Sequence, residues 1–196
     1  MSEGKINVQA ENIFPIIKKF LYSDQEIFLR ELVSNAVDAC QKLKTLGVLG
    51  EAEADEDKLQ VEVKLDAKKK TITISDNGIG MNAEEVEKYI AQIAFSGAEE
   101  FVEKYKDEAS GIIGHFGLGF YSAFMVADKV EVISKSHKGG DAAHWTCKGD
   151  PEYDLKVGKK KTRGTDIILH ISDDAKDYLQ DHKINELLSK YAKFLP

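Results

Sequence analysis

Four polar side chains on one predicted helix have the types and spacing to do chemistry: Glu31, Asn35, Asp38 and Lys42. At about 100° per residue they fall within roughly 60° of one another and would form one stripe. A carboxylate such as Glu31 can act as a general base, and the amide oxygen of Asn35 can bind a divalent cation. The stripe is also compatible with a solvated helix face on which Asp38 and Lys42 pair. A short neighbour such as Ala39 favours a ligand that approaches the helix backbone.

Two glycine-containing loops follow, DNGIGM at 76–81 and GHFGLGFY at 114–121. The first is compatible with a tight Asp-Asn-Gly turn, and equally with a loop that binds a flat base. Asp76 can accept a hydrogen bond from an exocyclic amino group, Gly80 lets a ring approach the backbone, and Met81 gives a polarisable wall. Backbone N–H groups of the second loop would form an anion-binding nest for phosphates.

Other nucleotide and cation motifs do not fit these loops. An EF-hand loop needs oxygen ligands at positions where this chain has Gly78 and Gly80. A Walker A loop needs GK[ST], and the dinucleotide fingerprint needs G-x-G-x-x-G, whereas GHFGLG reads G-x-x-G-x-G. Because no P-loop lysine is present, the phosphate charge would have to be met by a metal ion and by main-chain donors.

The composition narrows the class of protein. A net charge of −7 argues against a duplex-DNA-binding surface, which needs clustered Lys and Arg. The two cysteines, Cys40 and Cys147, have no metal-ligand or redox-motif spacing. The sequence contains no signal-peptide core and no run of membrane-spanning length. We therefore expect a cytoplasmic protein with no nucleic-acid partner and no membrane partner.

The hydrophobic periodicity predicts which elements position these residues. Helices are predicted at 13–22, 24–46, 82–95 and 184–195, and strands at 5–9, 59–65, 71–75, 129–136, 142–149 and 165–171. Gly47 would supply a left-handed cap for the second helix, and Asn82 would be the N-cap of the third. Turn residues between neighbouring strands indicate hairpins. The predicted fold class is α+β, with one mostly antiparallel sheet covered by helices on one face.

Four segments carry a resemblance to a known superfamily: ELVSNAVDA (31–39), DNGIGM (76–81), IGHFGLGFYSAF (113–124) and RGTD (163–166). They closely resemble the ATPase module shared by gyrase, heat-shock chaperones, some histidine kinases and mismatch-repair proteins. FLRELVSNAVDA and FGLGFYSAFMVADKV look like the bacterial type of the heat-shock protein 90 family. The resemblance implies a Bergerat-type two-layer fold, with residues 1–196 as the amino-terminal ATP-binding domain of a dimeric chaperone.

The resemblance also implies roles for the matched residues. Glu31 would be the general base, Asn35 the Mg²⁺ ligand, and Asp76 the residue that binds the adenine amino group. Thr165 would support the adenine through water. The implied nucleotide-binding residues are Asn35, Asp38, Ala39, Asp76, Gly80, Met81, Gly117, Gly119, Phe120 and Thr165.

The same resemblance implies which residues contact the phosphates of the nucleotide. Gly117, Gly119 and Phe120 would cradle the phosphates, and residues from about 93 to 119 would form a mobile lid. Three positions depart from the residues commoner in the family: Tyr89, Phe95 and His115. Phe95 stands where a lysine often precedes Ser-Gly, which removes one possible phosphate contact.

The implied ligands are ATP or ADP with Mg²⁺, and the implied partners are client proteins and a second copy of the full-length chain. Since the middle and carboxy-terminal domains of the family are absent and the chain ends at Pro196 after a helix, we expect an excised, monomeric module that hydrolyses ATP slowly. Three alternatives remain at this stage. They are a topoisomerase or mismatch-repair ATPase domain, a histidine kinase catalytic domain, and a structural domain without nucleotide.

Overall fold

A computed structural model of the chain describes residues 24–54, 58–91 and 119–195. The helices of this part are α1 (Ile27–Val48), α2 (Ala83–Tyr89) and α3 (Asp181–Tyr191), with 3-10 helices at Gly119–Met125 and Asp173–Tyr178. The strands are β1 (Val61–Asp66), β2 (Thr71–Asp76), β3 (Ala127–Lys135), β4 (Ala142–Cys147), β5 (Tyr153–Gly158) and β6 (Gly164–Ile171). The strand predicted at 5–9, the helix predicted at 13–22 and nearly all of the expected lid lie outside the described residues.

The six strands form one antiparallel sheet in the spatial order β1-β2-β6-β3-β4-β5. Strand β6, the last along the chain, lies between β2 and β3. This insertion places Asp76, the last residue of β2, directly opposite Thr165 of β6. The topology thus brings the predicted base loop beside the RGTD segment, although the two are far apart in sequence.

One face of the sheet is buried under helices, as predicted for the α+β class. Apolar side chains alternate along β2, β6 and β3, and Ile72, Leu169 and Val132 are completely buried. Helix α1 packs on β2 and on the first 3-10 helix with its apolar side, which includes Leu32 and Leu43. Burying each of these side chains is worth about 1.5–3 kcal/mol. This packing fixes the polar stripe of α1 relative to the end of β2.

The structure corrects the predicted ends of α1 and α2 and confirms a predicted cap. Helix α1 begins at Ile27 and continues to Val48, and the N–H of Leu49 still donates to the carbonyl of Thr45. Gly47 therefore lies inside the helix, and the prediction that it forms a left-handed cap is wrong. Asn82 is the N-cap of α2 in a complete capping box, as predicted. Helix α2 ends at Tyr89, earlier than the predicted residue 95.

Two further elements differ from the sequence-based prediction. Strand β5 was not predicted, because it lies at the sheet edge and its exposed residues show no period-two burial. Helix α3 begins at Asp181 and ends at Tyr191, three residues before its predicted start and four before its predicted end. None of the helices among the described residues is both long and apolar enough to span a bilayer.

Candidate functional site

The carboxyl group of Asp76 is buried at the point where β2 enters the DNGIGM loop. Only 8% of the residue is exposed. Its Oδ1 atom accepts a hydrogen bond from the backbone N–H of Gly78 at 2.9 Å. Among the described residues, no Lys or Arg forms an ion pair with this carboxyl group. A buried carboxyl whose orientation is fixed by a backbone donor is suited to receive a hydrogen bond from a ligand.

Burial is the main reason that the pKa of Asp76 is raised, from 3.8 to about 7. Hydrogen bonds from the backbone of Gly78 and Thr165 act in the opposite direction, as does the charge of Lys160. The nearby charge of Asp166 raises the pKa further. Strongly shifted carboxyl groups are more frequent at functional sites than elsewhere. The group can therefore change its charge near neutral pH when a ligand binds.

The base loop packs directly on the backbone of helix α1. The N–H of Ile79 donates to the carbonyl oxygen of Ala39 at 3.0 Å. A methyl group added to Gly78 would overlap the backbone of Ala39 and Cys40. Ala39 is itself half-buried, and Asp38 beside it is only 4% exposed. The loop thus joins the predicted helix stripe at Ala39, and Asp38 lies inside the protein rather than on a solvated face.

Gly80 is required where the loop passes beneath strand β3. Its φ is +62°, a left-handed conformation that residues with a side chain rarely adopt. A Cβ atom at this position would overlap the carbonyl oxygen of Lys135. The N–H of His137 donates to the carbonyl oxygen of Ile79 at 2.8 Å, which holds the loop against the end of β3. The close approach that the sequence assigned to a ligand is therefore made, at Gly80, by protein backbone.

A buried serine connects two of the predicted nucleotide-binding residues. The hydroxyl of Ser134 accepts from the N–H of Met81 at 2.8 Å and lies 2.7 Å from the hydroxyl of Thr165. Thr165 is in turn opposite Asp76 in the sheet register. The structure therefore brings Asp76, Met81 and Thr165 together at one end of the sheet.

The residue predicted to act in hydrolysis, Glu31, lies in the N-terminal part of α1. A Cβ atom added to Gly119 would lie 2.5 Å from Oε2 of Glu31, so the glycine backbone contacts this carboxylate. The other oxygen, Oε1, accepts from Nε of Arg30 at 3.2 Å and from its terminal NH₂ group at 2.6 Å. Asn35 is half-buried one turn further along the helix. Glu31 is thus adjacent to Gly119, one of the predicted phosphate-binding residues.

The aromatic ring of Phe120 does not face an open site. Phe120 is 5% exposed, and its ring makes edge-to-face contacts with Tyr121 and Trp145 at centroid distances of 5.4 and 5.6 Å. The ring is therefore part of the core, and the predicted phosphate contact of Phe120 would have to come from its backbone. The predicted contact at Gly117 lies outside the described residues.

The residues that support the base loop were not predicted as site residues. Ser134, Asn77 and Arg163 all make hydrogen bonds that hold this loop or its flanking strands. The sequence signal for Arg163 was its place in RGTD, and no local signal identified Ser134. The described residues contain no cluster of three or more His, Cys, Asp or Glu side chains suited to a metal ion.

Comparison with protein families decides among the sequence-based alternatives. The family model described as histidine kinase-, DNA gyrase B- and HSP90-like ATPase matches residues 22–168. The chain belongs to this family. Among the HSP90-like ATPases, its relatives are of the bacterial heat-shock protein 90 type. The chain is thus an ATPase domain.

Curated relatives of this HSP90-like ATPase domain include chaperone proteins named HtpG. The chain is 62% identical over 197 residues to the chaperone protein HtpG of Bacteroides thetaiotaomicron, and the match covers 100% of the chain and 29% of that relative. It is 59% identical over 194 residues to HtpG of Porphyromonas gingivalis, covering 98% and 28%. Identity to HtpG of Rhodospirillum rubrum is 41%, covering 98% and 32%. The chain therefore spans less than a third of the length of these relatives.

Proposed function

We propose that this chain is the ATP-binding and slowly ATP-hydrolysing domain of a dimeric molecular chaperone. The observation that carries the proposal is the buried carboxyl of Asp76, held by Gly78 at the junction of α1, β2 and β6. The HtpG relatives are named chaperone proteins. Nucleotide binding and a chaperone cycle are therefore the functions that best explain both the site and its relatives.

In this proposal the adenine base lies against the DNGIGM loop. Oδ1 of Asp76 is engaged by Gly78, and the carboxylate accepts the exocyclic amino group of adenine. Met81 lines the base, while Gly80 keeps the loop in a conformation that only glycine adopts readily. Thr165, hydrogen-bonded to Ser134, supports the base through water. A guanine base would present an oxygen acceptor to the same carboxylate and would be rejected.

The phosphates and Mg²⁺ lie toward Glu31. Asn35 would bind Mg²⁺, and the backbone at Gly117, Gly119 and Phe120 would face the phosphates. The donor set fits Mg²⁺, because this ion takes few protein ligands when phosphate oxygens and waters complete its shell. When bound there, the ion would supply charge neutralisation for the phosphates. Asp38, buried beside Ala39, completes the nucleotide-facing side of α1.

Hydrolysis is assigned to Glu31 as general base. Its carboxylate lies beside Gly119, one of the predicted phosphate-binding residues. Arg30 holds Oε1 through two hydrogen bonds, and this leaves Oε2 on the side of Gly119. The base therefore has a defined orientation.

The chaperone part of the proposal concerns the longer protein. In this proposal nucleotide-dependent closure of a lid at about 93–119, nearly all of which lies outside the described residues, drives the chaperone cycle. Client proteins and a second copy of the full-length chain are the partners. The isolated domain is monomeric and the protein is cytoplasmic. Residues 1–196 form a single domain in this scheme, and the remaining two thirds of the relatives' length supply the other domains.

The test is ATP binding by an Asp76→Asn variant, measured by calorimetry in the presence of Mg²⁺. A hydrogen bond to a charged group is worth about 1.5–3 kcal/mol, and the amide can present a donor to the adenine donor, so detectable binding should be lost. The matched control is Asp154→Asn, an exposed carboxylate on edge strand β5. The proposal predicts wild-type affinity for this control. Wild-type affinity in Asp76→Asn would contradict the assignment.

A further inference from the structure

Asn77 connects the proposed base loop to two other segments of the chain. Its side-chain amide donates to the carbonyl oxygen of Lys58 at 2.7 Å and accepts from the N–H of Gln60 at 2.8 Å. Its backbone carbonyl oxygen accepts from Nε of Arg163 at 3.1 Å. The residue next to Asp76 is therefore held by its side chain on one side and by its main chain on the other.

Arg163 reaches Asn77 because the two residues that follow it run along the end of β2. Thr165 is paired with Asp76 in the register. Gly164 has φ +111°, and a Cβ atom there would overlap the carbonyl oxygen of Asp76. With no side chain between the two backbones, the half-buried guanidinium of Arg163 can approach the next carbonyl, that of Asn77. Three consecutive residues thus contact Asp76 and Asn77.

Arg163 contributes a directed hydrogen bond to the loop, from its Nε–H to the carbonyl oxygen of Asn77. The cation whose charge opposes the burial-raised pKa of Asp76 is Lys160. The charge of Arg163 instead opposes the burial that raises the pKa of Cys40, on the α1 side of the loop. The contact of Arg163 nearest to the proposed adenine contact is therefore its Nε–H donor to Asn77.

We propose that Arg163 is a positioning residue for adenine recognition and acts through its Nε–H donor to the carbonyl of Asn77. The inference rests on the proposed role of Asp76. Among the described residues, Arg163 is the only side chain that donates a hydrogen bond to a carbonyl of the turn from Asp76 to Gly78. Without this donor the turn is held less firmly, and the Asp76 carboxylate, which Gly78 orients, is no longer fixed toward the base. Substitution of Arg163 should therefore weaken binding of the adenine base. Among the described residues, Arg163 forms no hydrogen bond or ion pair with those assigned to the phosphates.

Two substitutions separate the donor from the charge. Arg163→Gln places an amide nitrogen the same number of bonds from Cα as Nε of arginine, so it keeps a donor without the charge. Arg163→Lys keeps the charge but places a methylene group at the position of Nε. The matched control is Lys161→Ala, which removes an exposed cation from the same loop.

The experiment measures calorimetric affinity for ATP and for adenosine, together with the thermal midpoint of the chain without ligand. Arg163→Lys should bind both ligands roughly tenfold more weakly, as expected for the loss of one hydrogen bond from a charged donor. Arg163→Gln should remain within about threefold of wild type, since it loses only the charge-assisted part. Lys161→Ala should bind like wild type. In Arg163→Gln the amide-proton shift of Gly78, which reports the hydrogen bond to Asp76, should also match wild type.

Three results would overturn the inference. They are wild-type affinity in Arg163→Lys, stronger binding by Arg163→Lys than by Arg163→Gln, and equal weakening in both variants, which would indicate general destabilisation. None of these results affects the proposed function, which fails separately if the wild-type chain does not bind ATP or if Asp76→Asn binds it normally.

Discussion

Adenine binding should release a proton from Asp76. Burial raises the pKa of this carboxyl from 3.8 to about 7 in the nucleotide-free chain, so near neutral pH the group is about half protonated. The adenine amino group is a donor and interacts better with the ionised form. Binding therefore lowers the pKa of Asp76, and the affinity must fall as the pH falls below the pKa of the free site.

The magnitude follows from the pKa of about 7. If the pKa in the complex is well below the range studied, each pH unit below 7 weakens binding by up to about 1.36 kcal/mol, or tenfold in Kd. The Kd should thus rise about tenfold between pH 8 and pH 6, and about a hundredfold by pH 5. About half a proton per site should be released on binding at pH 7.

The assay is calorimetric titration with adenosine, which lacks the phosphates that titrate in the same range, in buffers of different ionisation enthalpy. Carbon-13 shifts of labelled aspartate carboxyl groups give the pKa of Asp76 in the free and bound chain. Asp154→Asn serves as the control and should show the wild-type pH dependence. An affinity that is constant between pH 5 and pH 8, with no proton released, would refute the reasoning.

Three further predictions concern stability and turnover. Relative to wild type, the unfolding free energy of nucleotide-free Asp76→Asn should rise by about 3 kcal/mol between pH 4 and pH 7, because a pKa raised in the folded state removes stability as the pH rises. Calorimetric melting that shows a pH-independent difference contradicts this. In the full-length protein, Glu31→Ala should keep ATP binding but lose hydrolysis roughly 10²–10⁴-fold in a phosphate-release assay, and unchanged turnover would reassign the base. Gly80→Ala should destabilise the chain by several kcal/mol more than Gly139→Ala. Gly80 has φ +62° and its added Cβ overlaps a backbone carbonyl, whereas Gly139 has φ +85° with nothing within 4 Å of its Cβ. Equal denaturation midpoints would argue against this packing.

The α+β class and the main helix were predictable because their signals are local. The apolar side of α1, including Leu32 and Leu43, repeats at helical spacing and is buried in the structure. The alternation of apolar and polar residues in β2 predicted a strand that ends at the base loop, and the strand ends at Asp76. The helix stripe and the loop could be assigned to one site only through the resemblance to a known family, since no local pattern shows that they meet.

What the sequence did not reveal depends on contacts between distant residues. Arg163 lies 86 residues from the carbonyl that it contacts, and Ser134 lies 53 residues from Met81. Both contacts exist only because β6 is inserted between β2 and β3, an arrangement that no turn or periodicity specifies. Gly80 was read as space for a ligand, whereas its Cβ position is filled by the backbone of β3. The sequence could predict that a backbone or ligand approaches the glycines of this loop closely, but it could not identify which group makes that approach.

The most direct test is a crystal structure of the chain with a non-hydrolysable ATP analogue and Mg²⁺. The account predicts the exocyclic amino group of adenine within hydrogen-bond distance of the Asp76 carboxylate, with Asn35 bound to the metal ion and the γ-phosphate on the side of Glu31. An adenine base bound elsewhere, with Asp76 still enclosed only by protein, would contradict it.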